Sequence, residues 1–280
     1  MADARTRAGR LRRLGSLGVV LTALVVTGCA SDENPNEYEP GSVGELYNSA
    51  MNRLDQEQYE QAAKKFDEVE RQHPYSVWAS KAQLMSAYAH YLNNDYTDAI
   101  NALDRFIELH PGNRDIAYAY YLKALSYYER IADVRRDQSM TDKARDALRQ
   151  VIRRFPDSKY ARNAQLKMDL VEDHLAGKEM TVGRYYLNKG HQLAAINRFR
   201  NVVADYQTTS HVPEALHRLT EAYLALGMHD EAKKTASVLG HNFPTSEWYV
   251  DSYELLTGKD LAPERPDDDS WIGNVWKDVI

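Results

Sequence analysis

The sequence predicts an all-α fold, a superhelix of stacked helix–turn–helix repeats. Three observations predict it. After Val43, apolar residues recur at three- and four-residue spacing, and alternating strand-like runs are nearly absent. The blocks of this pattern close on a recurring pair: His73-Pro74, His110-Pro111, Phe155-Pro156 and Phe243-Pro244, with Tyr206-Gln207 in the same slot without the proline. A small alanine stands twelve residues before the closing position in every block, at Ala62, Ala99, Ala144, Ala195 and Ala232. The closing positions fall 37, 45, 51 and 37 residues apart, so a unit of fixed size carries insertions in the middle of the chain.

Residues 1–28 read as a cleaved lipoprotein signal peptide. Arg5, Arg7, Arg10, Arg12 and Arg13 form a positive start, and Leu14 to Val26 is apolar. A spanning helix needs about 20 apolar residues, so this stretch is too short to cross a membrane and long enough to be an export signal. It ends Val26-Thr27-Gly28-Cys29. An aliphatic residue, two small residues and then cysteine resemble the bacterial lipobox, which implies a lipidated Cys29 at the mature N-terminus. Each buried CH₂ contributes about 0.8 kcal/mol, and two or more chains anchor stably. Ala30 follows the cysteine where enteric inner-membrane lipoproteins typically carry Asp, which suggests outer-membrane delivery.

Residues 29–42 make the lipidated N-terminus and a flexible tether. From Ala30 the run is polar, acidic and punctuated by Pro35, Pro40 and Gly41. Its thirteen residues reach about 45 Å when extended and about 20 Å as a coil. Hydrophobic residues make up 43% of the chain and charged residues 27%, the balance of a folding protein. The net charge of −6 argues against nucleic acid as a partner. Cys29 is the single cysteine, which excludes an intramolecular disulfide and a cysteine-based metal centre.

Residues 43–258 are the repeat domain. In four of the blocks a larger apolar residue follows the small alanine by four positions, at Phe66, Leu103, Leu148 and Phe199. Small residues at fixed helical positions let neighbouring helices approach, and the closing proline ends the helix. This is the pattern of the tetratricopeptide repeat, a helix pair of about 34 residues. Counting back gives small residues on the first helices (Ala50, Ala87, Gly183), aromatic ones (Tyr186, Tyr223) and turn glycines (Gly190, Gly227). Five repeats are expected, at about 43–75, 80–112, 116–157, 178–208 and 213–245. An insertion is expected around Asp133–Thr141, and an extra helical segment, about Tyr160–Ala176, before the fourth repeat.

The first helices of such a stack line its concave face. The inward positions are Tyr47, then Tyr88 and Tyr91, then Tyr118, Tyr121 and Tyr128. Tyrosine is large, stiff and tipped with a hydroxyl, so the six are expected to bind an extended peptide, with packing between repeats as the alternative role for each ring. Catalytic motifs are missing: there is no phosphate loop, no zinc helix and no nucleophile elbow, so neither enzymatic activity, a cofactor nor a metal is expected. His73 and His110 occupy one repeat position at a helix C-terminus, where a capping or packing role is expected in preference to a ligand role.

Residues 259–280 form an acidic tail with a short amphipathic helix. Asp267, Asp268 and Asp269 precede Ser270, an apt N-cap, and Trp271, Ile272, Val275, Trp276, Val279 and Ile280 fall on one stripe. So short a helix must dock, either on the last repeat or on a partner or lipid.

A lipobox, a short tether and five such repeats resemble the BamD family of lipoproteins in the β-barrel assembly (BAM) machinery of Gram-negative outer membranes. The likeness rests on Tyr59-Glu-Gln-Ala-Ala-Lys-Lys-Phe66, on His73-Pro-Tyr-Ser-x-Trp78-Ala, on His110-Pro-Gly-Asn, and above all on Val182-Gly-Arg-Tyr-Tyr-Leu-Asn-Lys-Gly190 with Ala194-Ala-Ile-Asn-Arg198-Phe. The resemblance implies a non-enzymatic outer-membrane adaptor facing the periplasm. Its C-terminal repeats would bind the POTRA region of the barrel subunit, with Arg198, Trp271 and Trp276 as partner-binding residues, alongside other BAM lipoproteins. Its N-terminal repeats would receive the targeting segments of unfolded outer-membrane proteins. A periplasmic scaffold for cell-wall or division proteins and a general holdase are the alternatives.

Overall fold

A computed structural model of the chain describes residues 41–258. The signal peptide, Cys29, the tether before Gly41, and the tail with Trp271 and Trp276 lie outside the described residues. Within them the chain is all-helical: α1 Val43–Asp55, α2 Tyr59–Gln72, α3 Val77–Leu92, α4 Tyr96–Leu109, α5 Ile116–Tyr128, α6 Ser139–Arg154, α7 Lys159–Asn188, α8 Gln192–Asp205, α9 Val212–Ala225, α10 His229–Asn242 and α11 Glu247–Thr257. None of these helices is long and apolar enough to cross a membrane.

Local chemistry sets the boundaries. Ser42 opens α1 with a capping box: its hydroxyl accepts from the Glu45 amide, and the Glu45 carboxylate accepts from the Ser42 amide at 3.0 Å. The links inside four of the pairs are three residues long and need one left-handed residue. It is Glu57 (φ 60°) and Asn94 (φ 63°) in the first two repeats, and Gly190 (φ 76°) and Gly227 (φ 71°) in the last two. The two glycines foreseen as turn residues therefore sit where only glycine is unstrained.

The five closing residues share one backbone conformation. His73, His110, Phe155, Tyr206 and Phe243 have φ of −131°, −129°, −133°, −129° and −135°. Four precede proline, which disfavours a helical residue before it. Tyr206 keeps the shape without proline, helped by the Thr209 hydroxyl donating to the Tyr206 carbonyl at 2.8 Å.

Each second helix packs between two first helices, and the first helices also touch in series: α1 with α3, α3 with α5, α5 with α7, and α9 with α11. The recurrent alanines Ala62, Ala99, Ala144, Ala195 and Ala232 are fully buried, as are Phe66, Leu103, Leu148 and Phe199. Close approach is tightest at Gly183, where a Cβ would lie 2.4 Å from the Phe199 ring.

One expectation is corrected. The extra segment at about Tyr160–Ala176 is helical as expected, but it has no boundary before the fourth repeat expected from about 178; it runs without a break into that repeat's first helix as the 30-residue α7. No proline interrupts it, and Leu175, Ala176, Gly177 and Met180 are buried across the expected junction. Gly177 is there for contact: a side chain would meet the His211 ring at 3.2 Å. The insertion of the third repeat is the link from Glu129 to Gln138, folded on Asp133, whose carboxylate accepts from the Arg135 amide at 2.8 Å.

Candidate functional site

Five tyrosines gather on three consecutive first helices. Tyr88 and Tyr91 come from α3, Tyr118 and Tyr121 from α5, and Tyr160 from α7. The Tyr160 ring lies 5.5 Å from Tyr118 and 5.4 Å from Tyr121, while Tyr91 makes an edge contact with Tyr96 at 5.8 Å. All five rings are half-buried, so each keeps a face or tip toward solvent.

The hydroxyls of Tyr91, Tyr118 and Tyr121 share an environment that resists ionisation. Burial pushes the Tyr118 phenol far above its ordinary value, and the nearby hydroxyls of Tyr88, Tyr160, Tyr91 and Tyr121 add to the effect. Tyr91 is pushed up to about 12, by burial first and then by the Glu129 carboxylate, to which its hydroxyl donates at 3.5 Å. The row therefore holds these three as neutral phenols at any physiological pH. It offers aromatic faces and O–H groups that can both donate and accept.

The remaining two predicted rings flank the row. Tyr47 packs against Trp78 at 4.8 Å and Phe66 at 5.5 Å, in the cluster formed by α1, α2 and α3. Tyr128, at the end of α5, carries the Lys167 ammonium 4.1 Å above its ring. A cation held over an aromatic face contributes about 0.5–2 kcal/mol.

Tyr160 was not among the predicted binding residues, although a signal for it stands in the sequence. Three closing pairs continue as Pro-x-Ser-x-aromatic: Pro74 to Trp78, Pro156 to Tyr160 and Pro244 to Trp248. The serine starts the next helix. Ser76 accepts from the Trp78 amide and Ser158 from the Ala161 amide. The aromatic then stacks on the first helix of the preceding repeat: Trp78 on Tyr47, Tyr160 on Tyr121, and Trp248 on His217 at 5.3 Å.

Beyond the middle of α7 the same face is ionic. Arg184 donates to both oxygens of Glu214, at 2.9 and 2.8 Å, and Arg218 pairs with Glu221 at 2.9 Å. His217 is buried, with its Nδ1 2.9 Å from the Ser252 hydroxyl. Burial, reinforced by the Arg218 charge, holds its pKa below the ordinary histidine value. Arg198 lies away from this network and reaches back to Glu179 at 3.1 and 3.3 Å, with its side chain 41% exposed. Among the described residues no three His, Cys, Asp or Glu side chains are grouped to hold a metal ion.

The family model described as an outer membrane lipoprotein, YfiO, matches residues 40–239. The chain belongs to this family. The YfiO match spans the first four helix pairs with their tyrosine row and most of the fifth pair. A curated relative from Caulobacter vibrioides, an outer membrane protein assembly factor BamD, is 51% identical over 89% of this chain and 82% of its own length. A protein of the same description from Rickettsia prowazekii is 50% identical over 85% of this chain and 94% of its own. Among solved structures, a tetratricopeptide-repeat protein of Thermus thermophilus covers 77% of this YfiO-family chain and 99% of its own at 17% identity, with a TM-score of 0.36.

Proposed function

We propose that this chain is a lipid-anchored, periplasm-facing adaptor of an outer-membrane β-barrel assembly machine, and that its tyrosine row receives the terminal segments of unfolded barrel proteins. Identity of 51% and 50% to two assembly factors, over most of both chains, carries the first part. The row carries the second. An extended strand presents side chains to one face at every second residue, about 6.6 Å apart. Rings from three successive helices, with O–H groups between them, suit alternating aromatic side chains and backbone carbonyls. Such a role calls for no cofactor and no catalytic group.

In this reading Cys29 holds the anchor and the C-terminal repeats meet the POTRA region of the barrel subunit, with Arg198, Trp271 and Trp276 on that side and other BAM lipoproteins as further companions. The Arg198–Glu179 pair leaves part of the guanidinium open to a second acceptor.

The test is purification of the tagged, lipidated protein from membranes in mild detergent, with stoichiometric companions identified by mass spectrometry. A barrel protein bearing POTRA domains is the expected companion. Cell-wall hydrolases or division proteins in its place would overturn the function while leaving the fold as it is.

A further inference from the structure

We propose that the second repeat carries a docking slot for a lysine side chain of a partner protein, on the side of the repeat built by α2, α3 and α4 and apart from the tyrosine row. A cavity of about 230 Å³ opens there between Asp67 of α2, Ser86 and His90 of α3, and Asp98, Asn101 and Arg105 of α4.

Its floor is polar and unsatisfied. Ser86 is 1% exposed, yet its hydroxyl has no hydrogen-bond partner, and neither has Nδ1 of His90. A buried hydroxyl left unpaired is costly, and one in a cavity wall is available to an incoming donor. The rim is anionic. Asp67 and Asp98 form no ion pair with any described residue, and the Arg105 guanidinium is turned to Glu70 at 3.4 Å.

The next repeat shows what such a slot holds. The spacing of the closing prolines, 37 from Pro74 to Pro111 and 45 from Pro111 to Pro156, puts the two repeats in register. Ser86 then corresponds to Lys123, Asp67 to Asp104, and Asp98 to Lys143. The equivalent cavity, about 190 Å³, is lined by Lys123 and Lys143 among others. From its wall the Lys123 ammonium reaches the Asp104 carboxylate at 2.5 Å, with the lysine side chain 23% exposed. The third repeat thus supplies a lysine of its own to this carboxylate. The second repeat has the carboxylate, adds a second one at Asp98, and places a serine where the lysine would start. An ammonium entering from outside would find the acceptor set that Lys123 finds from within, plus the Ser86 hydroxyl.

The test uses the full chain in a nonionic detergent, with acetyl-tetralysine amide as the probe and acetyl-tetranorleucine amide as its uncharged control, followed by backbone amide NMR. Saturable shifts confined to the neighbourhood of residues 67, 86, 90 and 98 are expected with tetralysine alone. Asp67→Asn and Ser86→Lys should each weaken binding by about fivefold or more, and Asp230→Asn, the same charge change on α10, by less than about twofold. Shifts spread over every acidic surface, or equal effects of Asp67→Asn and Asp230→Asn, would overturn the slot. Ser86→Lys should melt at or above the parent, because its ammonium can repeat the Lys123–Asp104 pair. A clear drop would show that the slot cannot seat an ammonium and would overturn it too.

Discussion

Gly183→Ala tests the repeat packing at its tightest point. In most helices this change is favourable by about 1 kcal/mol, because alanine loses less entropy than glycine. Here the added Cβ would lie 2.4, 2.8 and 2.9 Å from three carbons of the Phe199 ring. The ring cannot swing aside as a long aliphatic chain would. It is fully buried, in a cluster with Ala176, Met180, Ala195, Ile196 and Val202. Overpacking costs about 1–3 kcal/mol, and a contact as short as 2.4 Å against a buried ring belongs to the upper part of that range, about 2–3 kcal/mol, so the net change after the helix gain is a loss of about 1–2 kcal/mol. For a domain of this size that lowers Tm by about 2–8 °C, read by circular dichroism at 222 nm. Gly44→Ala is the internal control: nothing lies within 4 Å of its Cβ, so α1 should gain a few tenths of a kcal/mol. The double variant Gly183→Ala with Phe199→Leu should be more stable than the sum of its parts, by about 0.5–3 kcal/mol of coupling. A Gly183→Ala protein that melts at or above the parent, or strict additivity with Phe199→Leu, would refute the helix approach described here.

Three further outcomes are expected. Tyr88→Ala and Tyr91→Ala should each weaken peptides ending in an aromatic residue by about 1–2 kcal/mol, measured by fluorescence anisotropy, and unchanged affinity in a folded double variant would remove the row as the peptide site. Ser42→Ala deletes the capping box of α1 and should cost about 0.5–2 kcal/mol, with faster amide exchange confined to α1; exchange no faster than in the parent would contradict it. His217 has a folded pKa below its ordinary 6.5, so the unfolded chain takes up the proton first as pH falls. The stability its neutral ring contributes is full above 6.5 and is lost as pH drops through the lowered value. Urea unfolding from pH 7.5 to 4.5 should show His217→Gln losing less stability over this range than the parent, and parallel losses would put the acid sensitivity elsewhere.

The parts of this fold that could be read from the sequence are those set by local backbone constraints. Proline after an aromatic or histidine stops a helix wherever it sits, and an alanine at a fixed distance before it marks a close helix contact, so the helix pairs could be placed by counting. The continuity of α7 could not. Leu175-Ala176-Gly177 offers a plausible break, and what keeps it helical is burial of that stretch, with Gly177 set against His211. The tyrosines were found as inward positions, yet which of them meet depends on how successive first helices are offset. That offset gathers Tyr88, Tyr91, Tyr121 and Tyr160 around Tyr118 and sends Tyr47 to Trp78 instead. The Pro-x-Ser-x-aromatic recurrence was present to be counted, but its meaning, a ring that props up the preceding repeat, needed the contacts of Trp78, Tyr160 and Trp248.

Those three rings bear on how the inner face came to carry two chemistries. Each stacks on the repeat before it: Trp78 on Tyr47, Tyr160 on Tyr118 and Tyr121, and Trp248 on His217. The supporting ring is thus indifferent to whether its neighbour is a phenol or an imidazole, and the stack is held by the buried alanines and phenylalanines of the second helices. Inward positions are therefore free to vary without loss of the fold. In the first half they are half-buried tyrosines. In the second half they are Arg184, Glu214, Arg218 and Glu221, which pair with one another. A ligand rich in aromatic side chains gains new contact area against the tyrosines, whereas against the ionic half it would have to separate charges paired at 2.8–2.9 Å. Removing one partner of a half-buried pair leaves the other uncompensated, which opposes such binding. On the proposed reading, the same surface would direct an extended aromatic segment to the N-terminal half and leave the C-terminal half to a partner that brings its own polar groups.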